Sequence, residues 1–260
     1  ARTRNSPTYI QSHHPELAQV PIAYFTAEEA WESLGTYGGG LGVLSGDHTR
    51  GANDLGLRHI SVSLLYQQGY FRQLIQADGS QSSEDRARID TQRLALAPAR
   101  APGSSEDLIL EIPFPTTAGQ QRLVKAKVWV AHYGNSVKLL LDTNLEANSA
   151  YDRMMTERLY RGQGGSSTRM EQYYLLGVGG QRALSALGYQ PGVFHMNDCH
   201  PVFSSLERLA ETYHDLMSQL PKESPERLFE AAFELVRART VFTTHTPIEA
   251  GNETVDLDVI

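Results

Sequence analysis

Residues 22–65 read IAYFTAEEAWESLGTYGGGLGVLSGDHTRGANDLGLRHISVSLL, and the order of apolar runs and glycines in this stretch decides the fold. Ile22 to Phe25 is a short apolar run, consistent with a buried strand. A turn-rich segment follows, with Gly35, Gly38, Gly39, Gly40 and Gly42. From Leu41 to Leu55 the apolar positions Leu41, Leu44, Ala52 and Leu55 recur at helical spacing, and Gly56 is a good helix stop. His59 to Leu65 reads as the next strand. Strand, glycine loop, helix and strand make a βαβ unit, which calls for a parallel sheet.

Outward from this unit, residues 1–21 are polar, carry Pro7, Pro15 and Pro21, and read as an extended lead-in. Residues 76–105 are polar, with Pro98, Pro102 and a Gly-Ser-Ser run. Leu108 to Ile112, Leu123 to Ala131 and Val137 to Leu141 look like strands. Together, residues 76–165 read as an irregular, β-rich insertion. Thr168 to Leu187 has a helical pattern closed by Gly188. Val193 to Met196 reads as a strand, His200 to Leu220 and Pro225 to Arg237 as helices, and Arg239 to Thr244 as a last strand. The expectation is a doubly wound α/β domain over residues 22–260, interrupted by the insertion.

The 260 residues are enough for one large domain or two small ones, and for a substantial core. A net charge of −7 argues against nucleic-acid binding, which usually needs a basic face. No apolar run approaches the roughly 20 residues that span a bilayer, and Ala1 to Val20 contains no apolar signal core. Cys199 is the single cysteine, which excludes an intrachain disulfide and suits a reducing cytoplasm. The first residue is not Met, and the chain closes on the apolar-acidic run Asp256-Leu257-Asp258-Val259-Ile260. These ends are those expected of an excised segment or an incomplete gene product.

Three clusters fall where strands end and helices begin, the place where open α/β sheets bind ligands. The first is Tyr37 to Asp47. Glycines before a helix let the backbone approach a ligand, and the helix N-terminus offers free N–H groups to a phosphate or sugar oxygen. Its spacing is neither a Walker loop nor a dinucleotide fingerprint, and a tight turn with close helix–strand packing is the bland alternative. The second is His195-Met196-Asn197-Asp198-Cys199-His200-Pro201. Asn197, Asp198 and Pro201 would serve as helix caps, whereas Asp198 orienting His200 would be a polar relay. A metal is not expected: the spacing fits no tetrahedral pattern and no second ligand pair lies nearby. The third is Val241 to Pro247 with Ala250 and Gly251, where an apolar strand delivers His245 to its carboxyl end. His245 is either a sugar-binding group or a satisfied loop histidine.

In combination these segments resemble the α-glucan (glycogen and maltodextrin) phosphorylase family, short bacterial type. The resemblance rests on Ile22 to Glu28, Tyr37 to Asp47, Leu64 to Gln73, Arg158-Leu159-Tyr160, Leu176 to Gly180, His195 to Pro201 with Glu207-Arg208, and Phe242 to Gly251. It implies a Rossmann-like N-terminal domain of a GT-B glycosyltransferase, and transfer of glucosyl units from an α-1,4-glucan to orthophosphate. It also implies pyridoxal phosphate in the whole enzyme, bound mainly by a C-terminal domain that this chain lacks, so no cofactor is expected here. Gly39, Gly40, Leu41 and Gly42 would present backbone N–H groups to sugar and phosphate. His245 would line the glucosyl pocket, its carbonyl supporting positive charge at the anomeric carbon. Asn197, Asp198 and His200 would form a polar surround.

The chain departs from the pattern at Arg161-Gly162-Gln163-Gly164, at Cys199, at Tyr173 and in the acidic run from Glu28 to Glu32. The family's cofactor lysine has no counterpart among Lys125, Lys127, Lys138 and Lys222. The expected partners are the glucan, orthophosphate and the missing C-terminal half, and a homo-oligomer is left open. An apolar face meant for that missing half should be exposed, and the chain alone should be inactive. Two other readings stand beside this one. One is a non-catalytic carbohydrate-binding or regulatory remnant. The other is a starch-synthase-type glycosyltransferase, disfavoured because Thr36, Tyr37 and Gly38 occupy the place of its lysine.

Overall fold

The computed structural model describes residues 7–31, 34–71, 74–82, 86–89, 95–116, 120–159, 166–245 and 247–248. The departure at Arg161 to Gly164 and the run Asp256 to Ile260 lie outside them. The stretch read as an extended lead-in contains a short helix, α1 (Tyr9–His13). Thr8 and Gln11 form a capping box there, each side chain bonding the other's backbone N–H. The expected βαβ unit is β1 (Pro21–Phe25), α2 (Gly40–Leu55) and β2 (Arg58–Leu64), with the strands parallel and Tyr24 opposite Ser61. Gly56 ends α2 in the left-handed region at φ 87°, a conformation that favours glycine.

Two small ribbons follow, β3 (Gln68–Phe71) with β6 (Arg86–Arg88) and β4 (Leu74–Ile75) with β5 (Gln81–Ser82). Next come β7 (Ala97–Pro98), β8 (Ile109–Pro115), β9 (Gln121–Tyr133) and β10 (Ser136–Asp142). These last four join the main sheet, β10 lying parallel to β2. After α3 (Ala150–Arg153), α4 (Ser166–Tyr174) runs through five π-helical residues, Leu175–Gly179, into α5 (Gly180–Ala186). The chain then forms β11 (Val193–Asn197), α6 (Val202–Gln219), α7 (Pro225–Ala238) and β12 (Thr240–Thr243). The sheet order is β12-β11-β1-β2-β10-β9-β7, with β8 also on β9; it is parallel from β12 to β10 and antiparallel beyond.

The two faces of this sheet differ in chemistry. Ala23, Phe25, Ile60, Val62, Leu64, Leu139 and Leu141 join Leu175, Leu176, Ala183 and Leu184 in one apolar core. The other face lies under α2 and is polar. There His195, Tyr24, Ser61 and Lys138 are successive register partners across β11, β1, β2 and β10. Helix α2 meets that face with Gly42, Ser45, Gly46, Thr49 and Ala52, while Leu44 and Leu55 are exposed. The helical spacing of leucines located the helix but not its buried side. Small residues let the backbone come close: a Cβ on Gly46 would lie 2.3 Å from the Ala30 carbonyl oxygen.

Glu29, just past β1, is clamped in this interface. Lys138 Nζ donates to its Oε2 at 2.8 Å, Thr49 Oγ1 to its Oε1 at 2.6 Å, and the Ser61 hydroxyl also to Oε2. Glu29 and Lys138 both have 0% side-chain exposure. Burial alone would raise the Glu29 carboxyl, but the Lys138 charge and the three hydrogen bonds outweigh it and hold the group below the ordinary carboxylate range. At the opposite end of the sheet, β12 is an edge strand with Val241 and Phe242 exposed, and Phe229, Phe233 and Leu235 of α7 are exposed as well.

Removing one member of a buried pair strands the other charge, whereas replacing both removes the problem. Lys138→Met is expected to lower unfolding free energy by about 3–5 kcal/mol. Adding Glu29→Met should restore at least half of that loss. Denaturant unfolding of the two single variants and the double variant checks this. A near-neutral Lys138→Met would show that the pair does not organise the interface.

Candidate functional site

The chain builds β1, β2 and β10 in one direction across the sheet, then returns to place β11 and β12 on the other side of β1. The order therefore reverses between β1 and β11, and a crevice opens at the carboxyl ends of strands where this happens. Thr26 to Glu29, which follow β1, meet there with Asn197, the last residue of β11, and with the N-terminal part of α2.

Asn197, 1% exposed, is the hub. Its Nδ2 donates to Ser45 Oγ at 2.9 Å and Thr26 Oγ1 at 3.2 Å. That leaves Oδ1 as an acceptor, and His245 Nε2 lies 2.6 Å from it, so this nitrogen carries the ring proton. Ser45 Oγ in turn donates to the Leu41 carbonyl at 2.8 Å, and Thr26 Oγ1 to the Glu28 carbonyl at 2.8 Å. A continuous set of hydrogen bonds thus joins His245, past the end of β12, to the first turn of the glycine-loop helix.

The glycine loop divides by role. Gly39 and Gly40 are exposed, and a Cβ on either would meet nothing within 4 Å. Gly42 is buried, and a Cβ there would lie 2.3 Å from Tyr37 Cβ, so this glycine is a packing requirement. The Glu28 carboxylate accepts the N–H groups of Gly38 and of Gly39, the latter at 3.3 Å. Gly39 therefore already spends its amide within the protein. The first-turn amides of α2 belong to Gly40, Leu41 and Gly42.

The second cluster behaves differently from its reading as a cap. Helix α6 begins after Pro201 with no side-chain cap. Asp198 sits at φ 65°, unusual for a residue with a Cβ, and its Oδ1 accepts the Cys199 N–H at 2.9 Å. His200 is buried edge-on against Tyr173, ring centroids 5.0 Å apart. The bonded pair is Asn197 with His245 rather than Asp198 with His200. Ser45, Thr26 and Glu28 are components that residue-type reasoning did not single out. The one signal was a serine one turn after Leu41 inside a helix, where serine is otherwise a poor choice.

Beneath α2, Tyr24 lies among three imidazoles: its ring centroid is 4.5 Å from His48, 5.4 Å from His59 and 5.0 Å from His195. Burial, the largest influence, pushes both His59 and His195 down to about 4. Neither ring nitrogen of His59 has a hydrogen-bond partner. His195 Nε2 pairs with Thr243 Oγ1 at 2.7 Å. Among the described residues no group of side chains could hold a metal ion.

No family model matches the chain. It is 38% identical over 245 residues to the glycogen phosphorylase of Mycobacterium tuberculosis, a match covering 92% of this chain and 26% of that protein. It is 34% identical over 247 residues to the maltodextrin phosphorylase of Thermococcus litoralis, covering 95% of this chain and 27% of the relative. The glycogen phosphorylase of Aquifex aeolicus is 31% identical over 256 residues, covering 97% and 34%. The chain spans about a quarter to a third of the length of these curated relatives.

The histidine cluster makes a pH prediction. An unfolded imidazole titrates near 6.5, whereas His59 and His195 titrate near 4 in the fold. Below pH 6.5 the unfolded chain binds protons that the fold refuses. The stability from keeping these rings neutral is present above pH 6.5 and is lost as pH falls toward 4. The slope is about 1.4 kcal/mol per pH unit for the buried His59 and smaller for the half-buried His195, which solvent screens. Denaturant unfolding between pH 7 and 4 should show this limb, and His59→Leu should make it shallower by close to one proton. An unchanged slope would place the acid sensitivity elsewhere.

Proposed function

We propose that this chain, which matches the N-terminal part of the glycogen and maltodextrin phosphorylases, is the N-terminal portion of an α-1,4-glucan phosphorylase. In this reading residues 22–260 form one Rossmann-like domain of a GT-B enzyme, with residues 76–165 as its β-rich elaboration. The whole protein transfers a glucosyl unit from the end of the glucan to orthophosphate, giving glucose 1-phosphate in the cytoplasm. The observation that carries the reading is the bonded path from His245 through Asn197 and Ser45 to Leu41, at the point where the sheet order reverses.

Each residue then has a task. Gly40 and Leu41 offer first-turn amides to a sugar or phosphate oxygen, with the positive end of the α2 dipole behind them. Asn197 holds the His245 ring with its proton on Nε2, so the imidazole cannot turn when substrate enters. The His245 backbone carbonyl faces the positive charge that develops at the anomeric carbon. Asp198 and His200 complete the polar wall.

Pyridoxal phosphate supplies proton-transfer chemistry through its phosphate in the family this chain resembles. The lysines here do not fit it. Lys138 is buried on Glu29, Lys127 lies 2.6 Å from Asp107, Lys125 lies 3.3 Å from Glu111, and Lys222 lies between α6 and α7, away from the carboxyl rim. The cofactor is assigned to the remainder of the longer protein. The exposed apolar surface of α7 and β12 is assigned to contacts with that remainder, and the isolated chain is expected to be inactive and to self-associate.

The test is phosphorolysis by the full-length protein that carries this chain. Wild-type protein should release glucose 1-phosphate from maltodextrin and phosphate. Gly40→Ala meets no clash, so it should keep its melting temperature and lose more than about tenfold in turnover by crowding the ligand. His245→Ala should act on the same step. Gly42→Ala should instead cost about 1–3 kcal/mol of stability through overpacking against Tyr37. Unchanged turnover in both Gly40→Ala and His245→Ala would remove these residues from the site.

A further inference from the structure

A second cavity opens on the same rim of the sheet, at the carboxyl ends of β2 and β10. Its volume is about 220 Å³, and its polar lining is Gln67, Gln68, Asp142, Asn144 and Glu157. Ile89 supplies an apolar wall, with the buried Leu65 beneath the floor. From β12, which delivers His245, to β2 is three strand spacings, so the cavity lies roughly 15 Å along the rim from the proposed catalytic centre.

The cavity is built rather than incidental. The Gln67 N–H donates to the Thr156 carbonyl at 3.0 Å, the Gln68 N–H to the Glu157 carbonyl at 2.9 Å, and the Ile89 N–H to the Gln67 carbonyl at 2.7 Å. The backbone is thereby locked, and the cavity wall is formed by side chains. Asp142 is held by the Asn144 N–H at 2.8 Å, by Thr156 Oγ1 at 3.3 Å and by Trp129 Nε1 at 3.3 Å. Arg153 Nε donates to Asn144 Oδ1 at 3.0 Å. By contrast, the side-chain amides of Gln67 and Gln68 make one long bond each, at 3.4 Å to the Arg153 carbonyl and to Glu157 Oε1. Such bonds are weak and exchange readily for a better partner.

The lining selects a chemical class. Two carboxylates and three amides offer many acceptors and several donors, and among the described residues no Lys or Arg lines the cavity. The two carboxylates, Asp142 and Glu157, repel a phosphate or other anion. A neutral polyhydroxyl ring can pair its hydroxyls with the carboxylates and amides while a C–H edge rests on Ile89. We propose that this cavity is a subsite for a glucosyl ring of the α-glucan, remote from the bond being cleaved, and that it excludes phosphate. The assignment of the sugar as an α-glucan rests on the phosphorylase reading above. Binding energy gained at such a remote point helps to hold the reacting end in place.

The experiment uses the full-length protein with Gln67→Ala and the more conservative Glu157→Gln, so that one variant remains if the other folds poorly. Maltopentaose binding is measured by calorimetry, and phosphorolysis is followed with maltopentaose and phosphate varied in turn. Both variants should weaken maltopentaose binding by about tenfold and raise its KM by a similar factor, with the KM for phosphate unchanged. A general structural defect would move both KM values. Equal maltopentaose affinity in wild type and both variants, or no maltopentaose binding by wild type, overturns the subsite. Phosphorolysis with an unchanged glucan KM in both variants keeps the phosphorylase reading and sinks the subsite. Sugar binding that is lost in the variants of a protein without phosphorolytic activity keeps the subsite and sinks that reading.

Discussion

A single buried ion pair ties together the elements on which the rim depends. Glu29 belongs to the turn after β1, Lys138 to β10, Thr49 to α2 and Ser61 to β2, and all four meet at one carboxylate. An ion pair taken out of water is tolerable only when every remaining donor and acceptor is satisfied. The pair therefore fixes more than a distance. It sets the rotation of α2, because Thr49 must point at Glu29. It sets the course of residues 26–29, because Glu29 must point inward. The neighbouring Glu28 then faces the glycine loop and accepts the Gly38 and Gly39 amides.

This arrangement explains why the sheet has two unlike faces. The face under α5 is filled by aliphatic and aromatic side chains and supplies the hydrophobic driving force. The face under α2 carries Tyr24, Ser61, Lys138, His59 and His195, and the His48 ring of α2 packs against them. Burying such groups is less favourable than burying leucines. The return is a polar interface that ends, at the carboxyl edge, in hydroxyls and amides able to orient other groups. Ser45 and Thr26 do so for Asn197, and Asn197 does so for His245. Acid sensitivity follows from the same choice, since buried imidazoles resist protonation.

Glycines serve two separate ends in α2 and its loop. Gly42 and Gly46 bring the helix against Tyr37 and the Ala30 carbonyl, where no Cβ has room. Gly40 leaves an open approach from solvent. The close packing and the open approach depend on each other, because a helix held farther from the sheet would carry its first-turn amides away from Asn197 and His245.

Local pattern determined much of this architecture. The apolar run at Ile22 to Phe25, the helix stop at Gly56 and the alternating runs from Leu108 to Leu141 located strands and helices, because hydrophobic period and turn chemistry are properties of neighbouring residues. The clusters at Tyr37 to Asp47, Asn197 to His200 and His245 were legible for the same reason: each follows a strand. Three features were not legible. The buried face of α2 is made of Gly, Ser and Thr rather than leucine. The helix at Tyr9 to His13 lies in a proline-marked, polar stretch. The partner of His245 is Asn197 and not a neighbour in the chain. Spacing along one element cannot reveal such pairings, since Glu29 and Lys138 are 109 residues apart and Asn197 and Ser45 are 152 apart. Only the strand order, which sets β11 and β10 on opposite sides of the β1–β2 pair, decides which polar groups share an interface and so can satisfy one another out of water.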